Sequence, residues 1–443
     1  MKRNLLLIVC FCISMSLFAQ DEKKEEQLIK KNWNFGALPT ITFDTDLGFQ
    51  YGALVNLYDY GDGTRYPNYN HSLYFEVSRF TKGSGINRFY YDSDELIKGL
   101  QTSFDLSYLS DQAYDFYGFN GYESVYQKNW IDDSQPSDVY KTRMFYKYDR
   151  KLFRLKVDLQ GKLYGDHFKW TSGFNLQNFA IKSVNLDKLN KGKSGNDILP
   201  DTLGLYELYQ KWGIISSKEA NGGFVPTIKA GIVYDSRDNR PNPMKGVWTE
   251  AVLEGAPKFL GSESSFLKLS LIHREYFTLV PQKLSFVYRL AYQTTLAGTT
   301  PFYYQSQVIT SVLTGALSEG LGGAKTLRGV LRNRVVGDGF FYGNAELRWK
   351  VVNFNWINNN FYIGLIGFTD IGKVTKKIDI SHSNLSTLPK DFFNPGAERM
   401  HTSYGAGLRV VMNQNFVISA DYGMATNEQD GTSGMYIGLN YLF

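Results

Sequence analysis

The sequence predicts an all-β chain, a single transmembrane antiparallel β-barrel of about 16 strands, from three observations. Apolar residues alternate with polar ones over much of the chain. In Gly343-Asn344-Ala345-Glu346-Leu347-Arg348-Trp349-Lys350, for example, Ala345, Leu347 and Trp349 share one face and Asn344, Glu346, Arg348 and Lys350 the other. Aromatic residues make up 16% of the 443 positions, which suits girdles at two membrane interfaces. The chain also begins with an export signal. A mean hydropathy of -0.30 and the lack of a long internal apolar run exclude a polytopic helical membrane protein.

Lys2 and Arg3 precede the apolar stretch from Leu5 to Ala19, which reads as a signal peptide, residues 1–19, cut after Ala19. Cys10 and Cys12 are the only cysteines, and Val9 and Phe11 are too bulky to precede a lipidated cysteine. The mature chain is therefore expected to lack disulfides and thiol chemistry. Residues 20–46 read as a short periplasmic N-terminal segment, opening on Asp21-Glu22-Lys23-Lys24-Glu25-Glu26, and residues 47–443 as the barrel. A net charge of +5 is too balanced to argue for a nucleic-acid partner.

Strands are expected at 47–60, 70–82, 86–93, 98–110, 139–149, 152–163, 166–181 and 223–236. The series continues at 246–256, 264–279, 283–297, 339–352, 359–371, 401–412, 415–426 and 433–443. A soluble sandwich also alternates, but Arg289, Arg348, Lys350 and Arg409 recur mid-strand opposite apolar residues. Lipid outside and a polar lumen inside account for both faces, and closure leaves no unpaired edge in hydrocarbon. Connections 182–222, 298–338 and 372–400 are too long for turns and place the loops on one side, with a short helix at 205–212. Without a Pro/Ser linker or a long repeat, this is one domain.

Two connections carry more information than pattern. Between alternating strands, Asp235, Arg237, Asp238, Asn239, Pro243 and Gly246 form a turn in which short polar side chains cap the backbone and Gly246 admits a positive φ. The Gly-rich run Gly320 to Val330 closes the 298–338 loop, with Arg328, Arg332 and Arg334 making it basic. It is no Walker A loop, because Ala324 precedes Lys325 and no helix follows.

With Phe368-Thr369-Asp370-Ile371-Gly372 and the Tyr404 to Arg409 strand, these segments resemble the outer-membrane insertase and translocator superfamily. These are the BamA/TamA/Sam-type barrels, also called bacterial surface antigens. The resemblance covers about 223–443 by motif and the upstream strands by pattern. It implies a sixth outer loop folded into the lumen, where Arg328 pairs with Glu346 and Asp370 and Gly329 lets the backbone approach the wall. Val330 departs from the aromatic usual after Arg-Gly. Phe443 would be the terminal aromatic that assembly machinery reads.

Members usually carry periplasmic POTRA domains before the barrel, and the stretch from Gln20 to about Thr45 is too short for one. The expectation is thus a POTRA-less barrel in the outer membrane of a Gram-negative bacterium. It would contact outer-membrane lipid, contribute to assembly or translocation of protein or lipid, and work with a separate periplasmic partner or client. A weak pairing of 47–60 with 433–443 would let it open sideways. The alternative is a passive or gated pore for small solutes, in which Arg289, Arg348, Lys350 and Arg409 would favour anions. No cofactor or metal site is expected, since His71, His167, His273, His382 and His401 are scattered, nor is an enzyme, since no nucleophile–base constellation appears.

Overall fold

The computed structural model describes residues 29–443 apart from 67, 240–241, 308–319, 358 and 415, so the expected leader lies outside the described residues. Sixteen strands close into one antiparallel barrel in which each strand bonds to its sequence neighbours. They are β1 (Trp33–Asp44), β2 (Gly48–Asp59), β3 (His71–Phe80), β4 (Ser84–Ile97), β5 (Leu100–Asp115), β6 (Lys147–Tyr164), β7 (Phe168–Lys182) and β8 (Gly222–Asp235). The circuit continues with β9 (Gly246–Ala256), β10 (Phe266–Val280), β11 (Leu284–Gly298), β12 (Gly339–Trp356), β13 (Asn359–Lys376), β14 (His401–Met412), β15 (Phe416–Ala425) and β16 (Ser433–Leu439).

The expected number of strands is met through two compensating differences. Residues 33–44, assigned from sequence to the periplasmic segment 20–46, form β1 and pair along their whole length with β2. Pro39 lies within that strand and argues against one when read alone. Residues 139–149 are not a separate strand. Residues 116–146 form a fourth long outer loop, and Lys147–Tyr164 is one strand where two were expected. The last strand stops at Leu439 rather than 443, because Asn440 turns the chain with a φ of +70°.

The alternation expresses itself as two different solvents. Outward residues such as Leu347 and Trp349 are each 46% exposed, a surface that lipid covers in a membrane. Inward residues are polar and buried against one another. Arg88 and Arg154 both bind Asp105, at 2.7 and 3.0 Å, and Lys156 meets Asp158 at 3.1 Å. His273 and Glu275 lie on the outward parity, between the buried Ile272, Arg274 and Tyr276.

The core of this protein sits in the outer mouth. Phe116, Tyr146, Tyr209, Phe302 and Phe393 come from four outer loops and pack as one buried aromatic cluster. Tyr209 belongs to a helix, Leu205–Lys211, that buries Leu205, Tyr206 and Tyr209 on one side. Backbone bonds tie the loops together, as Val125 N–H donates to Phe392 O at 2.9 Å. Arg334 bridges three loops by donating to Gly121 O, Ser124 O and Gln429 O at 3.0, 2.9 and 2.7 Å. The lumen below is thus roofed by packed rings.

Candidate functional site

Beneath that roof, the loop between β11 and β12 enters the barrel and meets the wall. Leu321 and Val335 exchange backbone bonds of 3.1 Å, which folds the described part of the loop into a narrow hairpin. The Thr326 hydroxyl accepts from Gly322 N–H at 2.8 Å and closes its tip. Leu321, Leu327, Val330 and Val335 then bury completely against Phe340, Tyr342 and Val374 of the wall. Val330 fills this apolar seat where the family resemblance led one to expect an aromatic.

The structure brings Arg328, Glu346 and Asp370 together in a site from which water is excluded. The Arg328 Nε and Nη2 donate to the two oxygens of Asp370, both at 2.9 Å, and Nη1 donates to Glu346 Oε1 at 2.7 Å. Its backbone N–H adds a bond to Asp370 Oδ2 at 3.0 Å. The guanidinium stacks on Phe368, 3.5 Å from the ring centroid, and Asp421 lies 3.7 Å from Nη1. Burial opposes the charge on Arg328, yet Asp370 and Glu346 outweigh it and hold the guanidinium above its ordinary pKa. A planar fork facing two carboxylates is the geometry arginine matches and lysine does not.

Gly329 has a φ of +94°, and a Cβ there would lie 2.5 Å from the carbonyl carbon of Gly423 on β15. Its N–H donates to the Tyr436 hydroxyl on β16 at 3.1 Å. The loop tip therefore touches β12 and β13 through charge, β15 through close backbone approach and β16 through a hydrogen bond to Tyr436. Phe368, read from sequence as part of its motif, completes this site with Asn344, Asp421 and Tyr436, which were not assigned to it from sequence. Asp421 had a signal, a lone carboxylate on a strand between Ala420 and Tyr422.

The inner turn between β8 and β9 lies at the opposite end of the barrel, away from the loop tip. Arg237 Nε donates to Asp235 Oδ1 at 2.9 Å while its guanidinium covers Trp248 at 4.2 Å. The Asp238 carboxylate accepts from Met244 N–H at 3.0 Å and caps the turn. Asn239 reaches Gln414 Oε1 at 2.9 Å, and Pro243 is buried. Gly246 takes a φ of +108°, where a Cβ would strike Ser236 O.

Phe443 lies off the strand it was expected to end. Its ring faces Arg289 and Arg348, 5.0 and 5.1 Å from its centroid, and its backbone oxygen accepts from Arg348 at 3.1 Å. The cations proposed from sequence to line an anion path are engaged elsewhere. Arg289 donates to Asn344 at 2.8 Å, Arg348 to Glu346 at 2.8 Å and Arg409 to Asp421 at 2.8 and 2.9 Å. The Lys350 ammonium sits over Tyr362 at 4.7 Å.

The ring of strands closes between β1 and β16, not between residues 47–60 and 433–443 as expected. Among the described residues that junction has one register pair, Asp44 with Tyr436. Thr45 N–H donates to Met435 O at 3.1 Å beside it. On its other side, β16 pairs with β15 from Met424–Ser433 to Ile418–Leu439. Tyr436 therefore belongs both to the closing pair and to the contact with Gly329.

Comparison with known proteins places this geometry. No curated protein matches the sequence. Among solved structures, BamA from Haemophilus ducreyi lacking POTRA domains 1–3 is similar at 15% identity and a TM-score of 0.52, over 93% of this chain and 71% of that one. CdiB from Escherichia coli is similar at 11% identity and a TM-score of 0.53, over 93% of this chain and 63% of that one. This chain thus spans less than two thirds of the CdiB chain, and at these identities the likeness establishes the barrel fold. Residues 68–443 match the Omp85 superfamily domain, from β3 through the loop hairpin to the last strand, and the chain belongs to the Omp85 superfamily of outer-membrane β-barrels.

Proposed function

We propose that this barrel contributes to the assembly or translocation of protein or lipid at the outer membrane, and that the β1–β16 seam is the moving part. The observation that carries this reading is the thinness of the seam. Each ladder hydrogen bond contributes about 1 kcal/mol net, so parting the one register pair and the Thr45–Met435 bonds found among the described residues costs less than parting any other neighbouring pair of strands described. The Arg328 loop supports the same reading, because its tip is anchored by charge on β12 and β13 and presses on the last two strands. Clients would engage the exposed edge of β1 by strand addition, handed over by a separate periplasmic partner. The barrel would do this without covalent chemistry of its own. A passive anion pore is the weaker reading, since Arg289, Arg348 and Arg409 are all hydrogen-bonded within the wall.

A disulfide tests the seam directly. Thr45 and Met435 lie opposite one another, and Cys10 and Cys12 are the only native cysteines. The Thr45→Cys, Met435→Cys pair, oxidised in cells lacking the native gene, is expected to lower outer-membrane protein or lipid content, and reductant is expected to restore it. Wild-type envelope composition with the bond fully formed would reject the seam as the working element.

A further inference from the structure

We propose that the outward wall at the outer ends of β5, β6 and β7 is a binding site for a phosphorylated glycolipid of the surrounding leaflet. The inference rests on the barrel spanning the outer membrane with its long loops outside, and not on what the barrel moves.

The strand register sets out the site rung by rung. Phe104 pairs with Val157 and Val157 with Phe174; one rung further out Leu106 pairs with Leu155 and Leu155 with Leu176. Next come Tyr108 with Phe153, and then Ser110 with Lys151. Asp149 with Lys182 forms the outermost rung. Same-face rungs in a sheet are about 7 Å apart, so an apolar column gives way to lysines within one step. Leu106, Tyr108, Phe153 and Phe174 are 37, 42, 45 and 40% exposed, which marks this as the lipid face. An amphiphile lying along the column would put its tails on the rings and its head at the lysines.

A cavity of about 810 Å³ stands at that level, within the range of small-ligand sites. Lys151 and Lys182 line it from the wall, and Lys188 lines it from the loop after β7. None of these three ammoniums forms an ion pair among the described residues. The rim is a built structure. Asn185 Oδ1 accepts from Lys188 N–H at 2.8 Å, and Asn190 exchanges bonds of 3.0 and 2.8 Å with the Leu199 backbone.

Charge balance selects the ligand class. Asp149, Asp187 and Asp201 also line the cavity, while Arg150 and Asp111 bind each other at 2.7 Å. Three cations beside three carboxylates give no net field to capture a bare anion. The mixture suits a head that carries phosphates for the lysines and hydroxyls for the carboxylates and amides. A sugar bearing phosphate has both, whereas a simple anionic phospholipid offers few hydroxyls.

Native mass spectrometry of the full-length barrel in detergent tests this, with diphosphorylated lipid A as the probe. Dephosphorylated lipid A, phosphatidylglycerol and inorganic phosphate serve as comparison arms. Retention of the diphosphorylated form is expected to fall about ten-fold or more in Lys151→Gln, Lys182→Gln, Lys188→Gln. The corresponding Lys→Arg triple is expected to keep it, which separates charge from folding. Equal retention by the Gln triple would overturn the site, as would equal retention of the dephosphorylated lipid. Phosphatidylglycerol held as well as lipid A, or lipid displaced by millimolar inorganic phosphate, would overturn the glycolipid assignment. No transport is measured, so failure here leaves the seam reading standing.

Discussion

Removing the Arg328 guanidinium would leave Asp370 as a buried carboxylate without the cation that pairs with it, and Glu346 with Arg348 as its remaining partner. Breaking a buried pair in this way destabilises by about 3–5 kcal/mol, because the remaining charge loses its partner and gains no water. Arg328→Ala should therefore lower the temperature at which the folded barrel loses its heat-modifiable migration in gels. Arg328→Lys should fall between the two, since an ammonium keeps the charge and loses the fork. Unchanged migration in the alanine variant would mean the loop is held by Leu327 and Val330 alone. A second residue makes stability depend on pH. Asp46, in the turn after β1, has its carboxyl pushed up to about 7, first by burial and then by repulsion from Asp44 and Asp115. Its Oδ2 has no hydrogen-bond partner among the described residues. The folded chain thus holds a proton at Asp46 that the unfolded chain releases above about 4, so this residue's contribution is complete at low pH and lost as pH rises through about 7. Asp46→Asn should raise stability at pH 8 and flatten the profile in that window, as measured by thermal unfolding across pH. A profile identical to wild type would refute it.

At the scale of elements, what the sequence made legible follows from where each side chain finds its solvent. Glu346 was readable because it falls on the polar parity of a strand whose other face, Leu347 and Trp349, belongs to lipid. Asp370 and Arg328 were readable only together with their motifs, since a lone Arg in a Gly-rich loop looks like a solvated cation. β1 escaped notice because Pro39 and the nearby charged run Asp21–Glu26 argue for an irregular segment, and its pairing with β2 is a tertiary fact. The stretch 139–149 failed for the opposite reason. Phe145 and Tyr146 look like girdle residues, but they pack into the loop roof, where aromatic spacing answers to neighbouring loops rather than to a two-residue period. Phe443 reads from sequence as the end of a strand over 433–443, and it lies instead beyond β16, resting on two guanidinium groups.

Across the whole molecule, the lumen is occupied from above by the aromatic roof and from the side by the Arg328 hairpin. Replacing residues 299–338 by a short turn removes the hairpin and, with Phe302, Tyr303 and Tyr304, part of the roof. Planar-bilayer conductance should rise several-fold over the intact barrel. A silent deletion variant that still migrates as folded would mean the remaining loops seal the mouth unaided.

The closing junction, with one register pair among the described residues, has a further consequence in the order of folding. Every other strand pair is a hairpin, or two strands joined by one loop, but Thr45 meets Met435 across 390 positions. Such a contact cannot form until everything between is in place, and the entropy of bringing the ends together must be met by that junction. The wall can grow hairpin by hairpin while its last step gains the fewest bonds. Closure is therefore the late and readily reversed event of this chain's own folding, and the sheet it leaves behind is complete with or without it.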